Sequence, residues 1–327
     1  MEVDTLKKFG KVVLFVMIVA LFVPAVMFGG SEKDEGKSVV LLNIGMQSSY
    51  PPVYTDNLEM LMEKNGVDYF MFDGKFDPQL QASQMDDAIA MHPDIIVLFA
   101  VDSQAIAPGI KKAYDAGIHV FMGNSLPMEA SIPYTVCYSG PNNFEEGQIA
   151  GKYMNEMLGG KGNIVIIEGA AGQETSLSRT GGFMDVLAPG IKVLAQQPAN
   201  WRKDIGVQVM QDFITRYGDE IDAVYCHGDA SAMGAAIAYE EAGYAKGEVP
   251  IICIGGGKEG LKGIVDGYLV MNVLQSPIDE TNAYEAPIME ILNSDMEVGE
   301  QLDPYWQYMV TPVITMDNVE EHLPGDY

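Results

Sequence analysis

The sequence predicts an α/β protein built as two similar, doubly wound lobes, each a mostly parallel sheet with helices on both faces. Three observations predict it. Short apolar runs alternate with stretches of helical periodicity from Val39 to Leu292. The strands are too many for one ordinary open sheet. The segment Asp94-Ile-Ile-Val-Leu-Phe-Ala-Val-Asp102-Ser103 is weakly echoed by Asp222-Ala-Val-Tyr-Cys-His-Gly-Asp229-Ala-Ser231, each reading as strand, Asp, helix.

The elements follow in order. Val39–Ile44 reads as a buried parallel strand, because a strand covered on both faces is apolar throughout. Val53–Lys64 has apolar residues at helical spacing. Tyr69–Phe72 is a strand, and Pro78–Met91 a helix with Asp86 and Asp87 toward solvent. Ile95–Ala100 is strand, Gln104–Ala116 helix and His119–Met122 strand. The rhythm then restarts with helix Phe144–Leu158, strand Ile164–Glu168, helix Thr175–Leu187 and strand Lys192–Ala195. Helix Asp204–Tyr217, strand Ala223–Cys226, helix Ser231–Ala242 and strand Ile251–Ile254 come next. Helix Gly260–Asp266, strand Leu269–Val273 and helix Asp279–Leu292 complete it. Nothing from Ser38 to Leu302 reads as low complexity or linker. Asp102 and Asp229 stand after strands, where a helix N-cap is expected, and ligands of such sheets sit outside the carboxyl ends of the strands.

Composition narrows the function. The chain has 327 residues, 19 Lys+Arg against 46 Asp+Glu, and a formal net charge of −27. That charge repels phosphate backbones and anionic membrane surfaces, so neither nucleic acid nor a charged bilayer is an expected partner. The 48% hydrophobic content supports a sizeable core. Cys137, Cys226 and Cys253 lie in apolar runs and read as buried core residues. There is no Cys-x-x-Cys and no Cys/His cluster with metal spacing, so no metal is expected.

Lys7, Lys8 and Lys11 precede an apolar run, Val12 to Phe28, and then Gly29, Gly30 and Ser31. This order marks residues 1–31 as an export signal or a signal anchor. The protein is expected outside the cytoplasm, in the periplasm or on the outer side of a bacterial cell membrane, either free or anchored by this segment. Ser31 stands where a lipoprotein signal has a Cys, so lipid attachment there is not expected.

Catalytic patterns are missing. No Gly-x-Ser-x-Gly, His-Glu-x-x-His or phosphate-binding loop is present. Ile254-Gly-Gly-Gly-Lys258 reads as a tight strand-to-helix turn. His227 near Asp229 resembles a base with an orienting carboxylate, yet no nucleophile accompanies them. The abundant carboxylates read as solvated helix faces. What remains suits a small polar molecule. Tyr50, Tyr54 and Trp201 offer flat apolar faces, and Arg179, Gln275, Asn124 and Ser48 offer hydrogen bonds. An aromatic ring against the C–H face of a sugar, with polar groups at its edge, is the expected chemistry of a polyol site. The rigid guanidinium fork suits vicinal hydroxyls or a carboxylate.

These residues fall into a known pattern. Gly169-Ala-Ala-Gly172 with Arg179-Thr-Gly-Gly-Phe183, then Gln197-Pro-Ala-Asn-Trp201, then Ala223 to Ala236 with Asp229, Met233 and Gly234, then Asp266-Gly-Tyr-Leu269 with Gln275-Ser-Pro277, occur in that order. From Ser38 to about Leu302 the chain resembles the type I periplasmic sugar-binding proteins, the ribose-binding group of ABC-importer substrate-binding proteins. The resemblance implies that Arg179 binds ligand, that Trp201 stacks on it and that Gln275 binds it beside an interlobe crossover. It places Ser48 and Tyr50 on the first-strand loop that meets ligand. It places Asn124 and Ser125 where pentose binders carry an Asp-Arg pair, and it brings in His227 and Asp229 as compensating ligand contacts. Gly228 stands for an Asn and Gly255 for a second ligand-binding Asp. These departures point away from unmodified ribose, toward a bulkier, more oxidised or anionic sugar-like ligand.

The resemblance further implies a three-crossing hinge. The first lobe takes residues 38–138 plus 276–302, and the second takes 139–275 plus 303–327. Closure over a sugar-like ligand presents a composite surface to an ABC importer permease. The chain is expected to act as a monomer, without cofactor or covalent step. An enzyme on the same fold would need the missing nucleophile–base pair. A transcriptional regulator would need a helix-turn-helix where the apolar segment lies. A sensor that presents its closed form to a chemotaxis or signalling receptor stays open.

Overall fold

The computed structural model describes residues 36–327. The export segment expected at residues 1–31 lies outside them. Strand and helix alternate through β1 (Ser38–Asn43), α1 (Tyr50–Lys64), β2 (Asp68–Asp73), α2 (Pro78–Ala90), β3 (Ile95–Leu98), α3 (Ser103–Asp115), β4 (His119–Gly123) and β5 (Cys137–Gly140). Next come α4 (Asn143–Met157), β6 (Lys161–Glu168), α5 (Glu174–Val186), β7 (Gly190–Pro198), α6 (Lys203–Tyr217), β8 (Ala223–Cys226) and α7 (Asp229–Glu241). The chain closes with β9 (Ile251–Gly255), α8 (Lys258–Val265), β10 (Met271–Leu274), α9 (Pro277–Asn293), β11 (Trp306–Tyr308) and β12 (Val313–Ile314).

Two six-stranded sheets result, in the orders β11-β5-β4-β3-β1-β2 and β12-β10-β9-β8-β6-β7. All pairings are parallel except β12 against β10. The pleat explains the uniformly apolar strands. Val39 and Leu41 pack with Leu58 of α1 and Ile288 of α9, whereas Val40 and Leu42 pack with Met85 of α2 and Ile110 of α3. In the second sheet Ile164 and Ile166 meet Met154 of α4 and Phe183 of α5. Val165 and Ile167 meet Val209 of α6 and Ala235 of α7 on the other side. The three cysteines are free and buried, as their apolar neighbours suggest, and burial pushes each thiol pKa up.

The chain passes between the sheets three times: after β5, between β10 and α9, and between β11 and β12. The third crossing corrects the sequence expectation, which assigned residues 303–327 to the second lobe. Trp306–Tyr308 instead pairs with Tyr138–Gly140 at the edge of the first sheet, and the Trp306 and Tyr308 rings pack against Tyr138 at centroid distances of 5.7 and 5.8 Å. β5, β11 and β12 had no periodic signal to betray them, being four, three and two residues long.

The expected cap at Asp102 is present, its carboxylate accepting from the backbone N–H of Gln104 and Ala105 at 2.8 and 2.9 Å. Asp102→Ala is expected to cost about 1 kcal/mol of stability, measured as a lower urea midpoint. An unchanged midpoint would show that the cap contributes nothing. Asp229 does not cap its helix. It is the first residue of α7, after Gly228, and its side chain turns across to the β9–α8 loop, accepting from Asn272 Nδ2 at 2.6 Å and Gly257 N at 2.8 Å.

Candidate functional site

The carboxyl ends of both sheets open toward one another, and the loops leaving them line a cavity of about 110 Å³. A wider vestibule of about 730 Å³ lies outside it, sharing Ser48, Phe76, Gln173 and Trp201 with the inner space. The backbone here is strained. Among the described residues six non-glycines have φ between 51° and 59°, and five of them, Lys75, Phe76, Asn124, Asn200 and Trp201, line the cavity or its vestibule. Such conformations cost on the order of 1–3 kcal/mol each and persist where the surroundings over-determine them. Here they aim Phe76, from the first lobe, and Trp201, from the second, at the same space.

Trp201 is fixed from two sides. Its Nε1 donates to Gln173 Oε1 at 2.7 Å, and its ring lies so close over Gly169 that a Cβ there would overlap it. The Arg179 guanidinium carbon stands 5.8 Å from the Trp201 ring centroid, within range of a cation–π contact.

Arg179 comes from α5 and is 4% exposed. Its Nε donates to Asn143 Oδ1 at 3.2 Å, Nη1 to the His227 carbonyl at 2.6 Å, and Nη2 to Glu146 Oε2 at 2.9 Å and to Gln275 Oε1. Four of its five donors are thus held by the protein, which leaves one on Nη1. Packing of α4 on α5 makes this possible. A Cβ at Gly147 or Gly182 would strike the backbone of the facing helix, so two glycines bring Asn143 and Glu146 within reach. Glu146 is fully buried and its Oε1 has no partner. Burial pushes its pKa up to about 7, against the pull of Arg179.

A second buried carboxylate stands on the opposite side. Glu280 of α9 accepts from the Tyr50 hydroxyl, from Asn124 Nδ2 at 2.8 Å and from the Tyr284 hydroxyl at 2.6 Å. Burial raises its pKa to about 7, while those donors pull the other way. The Tyr50 hydroxyl also accepts from Gln275 Nε2 at 3.3 Å. One chain of hydrogen bonds therefore runs Glu280–Tyr50–Gln275–Arg179–Glu146, from the first lobe across a crossing into the second. Reading all carboxylates as solvated helix faces fails at Glu146 and Glu280, because neither stands in a motif and each sits in an acidic stretch that looks like a wet surface.

Of the residues expected at the site, Ser48, Tyr50, Asn124, Arg179, Trp201, His227, Asp229 and Gln275 all border the cavity. Ser125 does not. It is buried, and its hydroxyl donates to the Ala100 carbonyl at 3.0 Å. Tyr54 lies in the core, its hydroxyl 3.3 Å from that of Tyr284. His227 and Asp229 form no dyad. His227 Nδ1 accepts from Gly169 N at 3.2 Å, and burial with the adjacent Arg179 charge holds its pKa well below the usual value. Asp229 meets Asn272 and the glycine turn instead, and its burial raises its pKa. A neutral imidazole already bonded to the backbone is no general base for Asp229 to orient.

The helix ends show what the cavity offers. α2, α3, α4 and α9 are capped by the side chains of Asp77, Asp102, Asn142 and Ser276. α1, α5 and α7, whose first turns border the cavity, have no side-chain cap. The first-turn N–H groups of α5 and α7 stay available to acceptor oxygens from outside the chain, whereas Pro51 and Pro52 leave α1 few to offer. The buried Thr175 hydroxyl on the cavity wall likewise has no partner. Aromatic faces, open N–H groups and one free guanidinium donor match a compact molecule rich in hydroxyl oxygens.

Comparison with known proteins agrees with this architecture. A family profile described as periplasmic binding protein domain matches residues 39–287. The chain is 31% identical over 281 residues to a xylitol-binding protein of Mycolicibacterium smegmatis, covering 84% of this chain and 77% of that one. It is 29% identical over 223 residues to the ribose import binding protein of Escherichia coli (strain K12), covering 68% and 73%. Among solved structures, a galactofuranose binding protein superposes with a TM-score of 0.80 at 23% identity, over 87% of this chain and 96% of that one.

Proposed function

This chain belongs to the periplasmic binding protein family, and from that premise we propose that it captures a small sugar or polyol between its lobes and delivers it to an ABC importer permease. The observation that carries the reading is Arg179, held rigid beside Trp201 in a cavity between the carboxyl ends of two sheets. On this reading the bound molecule leaves unchanged, captured and released without a covalent step. Lobe closure is driven by the ligand's preference for the closed form. The role of a sensor is less favoured, since the curated relatives include ribose and fructose import binding proteins. The reading places the protein outside the cytoplasm, acting as a monomer. Among the described residues no helix is long and apolar enough to cross a membrane.

Ser48, Tyr50, Asn124, Arg179, Trp201 and Gln275 are the proposed ligand contacts. Thr175, Gln173 and Phe76 join them on geometry alone. His227 and Asp229 shape the cavity wall through bonds to the protein. A thermal-shift screen of pentoses, hexoses, pentitols, inositols and sugar acids tests the reading, because a ligand that binds the native state raises Tm. Trp201→Ala is expected to weaken binding by about 1–3 kcal/mol, the scale of losing a buried aromatic contact, with little change in Tm of the free protein. Calorimetry that finds unaltered affinity would remove Trp201 from the site.

A further inference from the structure

The segment Gly325–Tyr327 returns to the cleft, although nothing in the sequence marks it. The Tyr327 carbonyl accepts from the backbone N–H of Lys258 at 2.6 Å, at the start of α8. The Ser276 hydroxyl donates to the Asp326 carboxylate. The Tyr327 ring then borders the cavity. It meets Tyr50 of the first lobe edge-to-face, with centroids 5.2 Å apart and planes at 74°, and its hydroxyl stands 3.4 Å from Asp229 Oδ2. Gly257 is what admits the ring, since a Cβ there would lie 2.7 Å from it.

We propose that Tyr327 is a specificity-determining wall of the ligand site, selecting slim open-chain polyols over six-membered rings. The proposal rests on the reading of the cavity as a polyol site. Its backbone anchor at α8 ties the ring to the second lobe, while its edge packs on a first-lobe tyrosine, so lobe closure and narrowing of the site are one movement. The inner space of about 110 Å³ is smaller than the cavity of about 150 Å³ that holds a benzene ring. A slim chain of hydroxylated carbons continues past Trp201 into the vestibule. A six-membered ring has to widen the inner space itself, and the Tyr327 ring blocks that widening.

The test is a thermal-shift and calorimetric panel of glycerol, xylitol, ribose, myo-inositol, glucose and galactose. The wild type, Tyr327→Ala, Tyr327→Phe and Gly257→Ala are compared. Gly257 has φ −72°, which any residue adopts, so its alanine variant folds normally and displaces only the ring. The wild type is expected to bind a slim polyol and to reject the six-membered rings. Tyr327→Ala and Gly257→Ala are each expected to lose about ten- to two-hundredfold in that discrimination, while Tyr327→Phe restores it. If both alanine variants keep the wild-type ranking, the wall is refuted and sugar capture stands. Tighter binding of the same slim ligand by Tyr327→Ala would also overturn the wall, showing that the ring competes with ligand. A panel silent for the wild type and all variants sinks the capture reading and the wall together.

Discussion

Arg179→Ala is expected to abolish ligand binding and to lower the stability of the free protein by about 3–5 kcal/mol. Losing a surface arginine costs little. This one is different because Glu146, its ion-pair partner at 2.9 Å, is fully buried. Removing the guanidinium leaves that carboxylate without its cation, and leaves the Asn143 oxygen, the Gln275 oxygen and the His227 carbonyl without their donor. The Glu146 carboxyl is then expected to take up a proton at neutral pH, since the guanidinium is the main influence opposing burial. Arg179→Met combined with Glu146→Leu separates the two losses. It is expected to recover most of the stability while binding stays absent. Urea denaturation reads the first quantity and calorimetry the second. A single alanine variant with an unshifted urea midpoint would mean that the buried pair is not formed.

Glu146 and Glu280 are each expected to contribute a fall in stability as pH rises from about 4.5 to about 7, opposed below the usual imidazole range by His227, whose lowered pKa contributes with the opposite sign. The sign follows from the two buried carboxyls. Glu146 and Glu280 have folded pKa values near 7 against an ordinary 4.5. Between those values the folded state holds protons that the unfolded state has released, so their contribution to the stability gradient with pH is negative. The favourable contribution is complete below pH 4.5 and lost once pH passes 7. Each shift amounts to on the order of 3 kcal/mol. Glu280→Gln keeps acceptors and donors for Tyr50, Asn124 and Tyr284 but cannot titrate, so it is expected to remove the Glu280 share of the fall and make the variant relatively more stable at pH 7.5 than at pH 5. Urea midpoints at pH 5 and pH 7.5 for wild type and variant check this, and identical slopes would show that Glu280 does not titrate in that window.

Much of the molecule is legible in its sequence. β1, β3, β8 and β9 announce themselves as continuous apolar runs because both of their faces are covered. Arg179, Trp201 and Gln275 are legible because the motifs of the resemblance carry them, and they do meet at one cavity. What stayed hidden is what depends on long-range approach. Asp229 reads as a helix cap, but its partners are 28 and 43 residues away. Glu146 and Glu280 look solvated because burial of a charge leaves no periodic trace. Ser125 neighbours a true cavity residue, yet its hydroxyl points at Ala100. Tyr327 has no pattern at all, and only the glycine at 257 hints that something needs room there.

The placement of β11 has a consequence for anyone dividing this protein. Because Trp306–Tyr308 finishes the edge of the first sheet after the chain has already made the whole of β6 to β10, neither half is encoded contiguously. A fragment stopping at Gly140 would expose the backbone groups of β5 that β11 satisfies, a naked border prone to self-association. Dissection into autonomous modules is therefore expected to yield aggregates, and a circularly permuted gene that keeps β11 is the sounder way to isolate the first half.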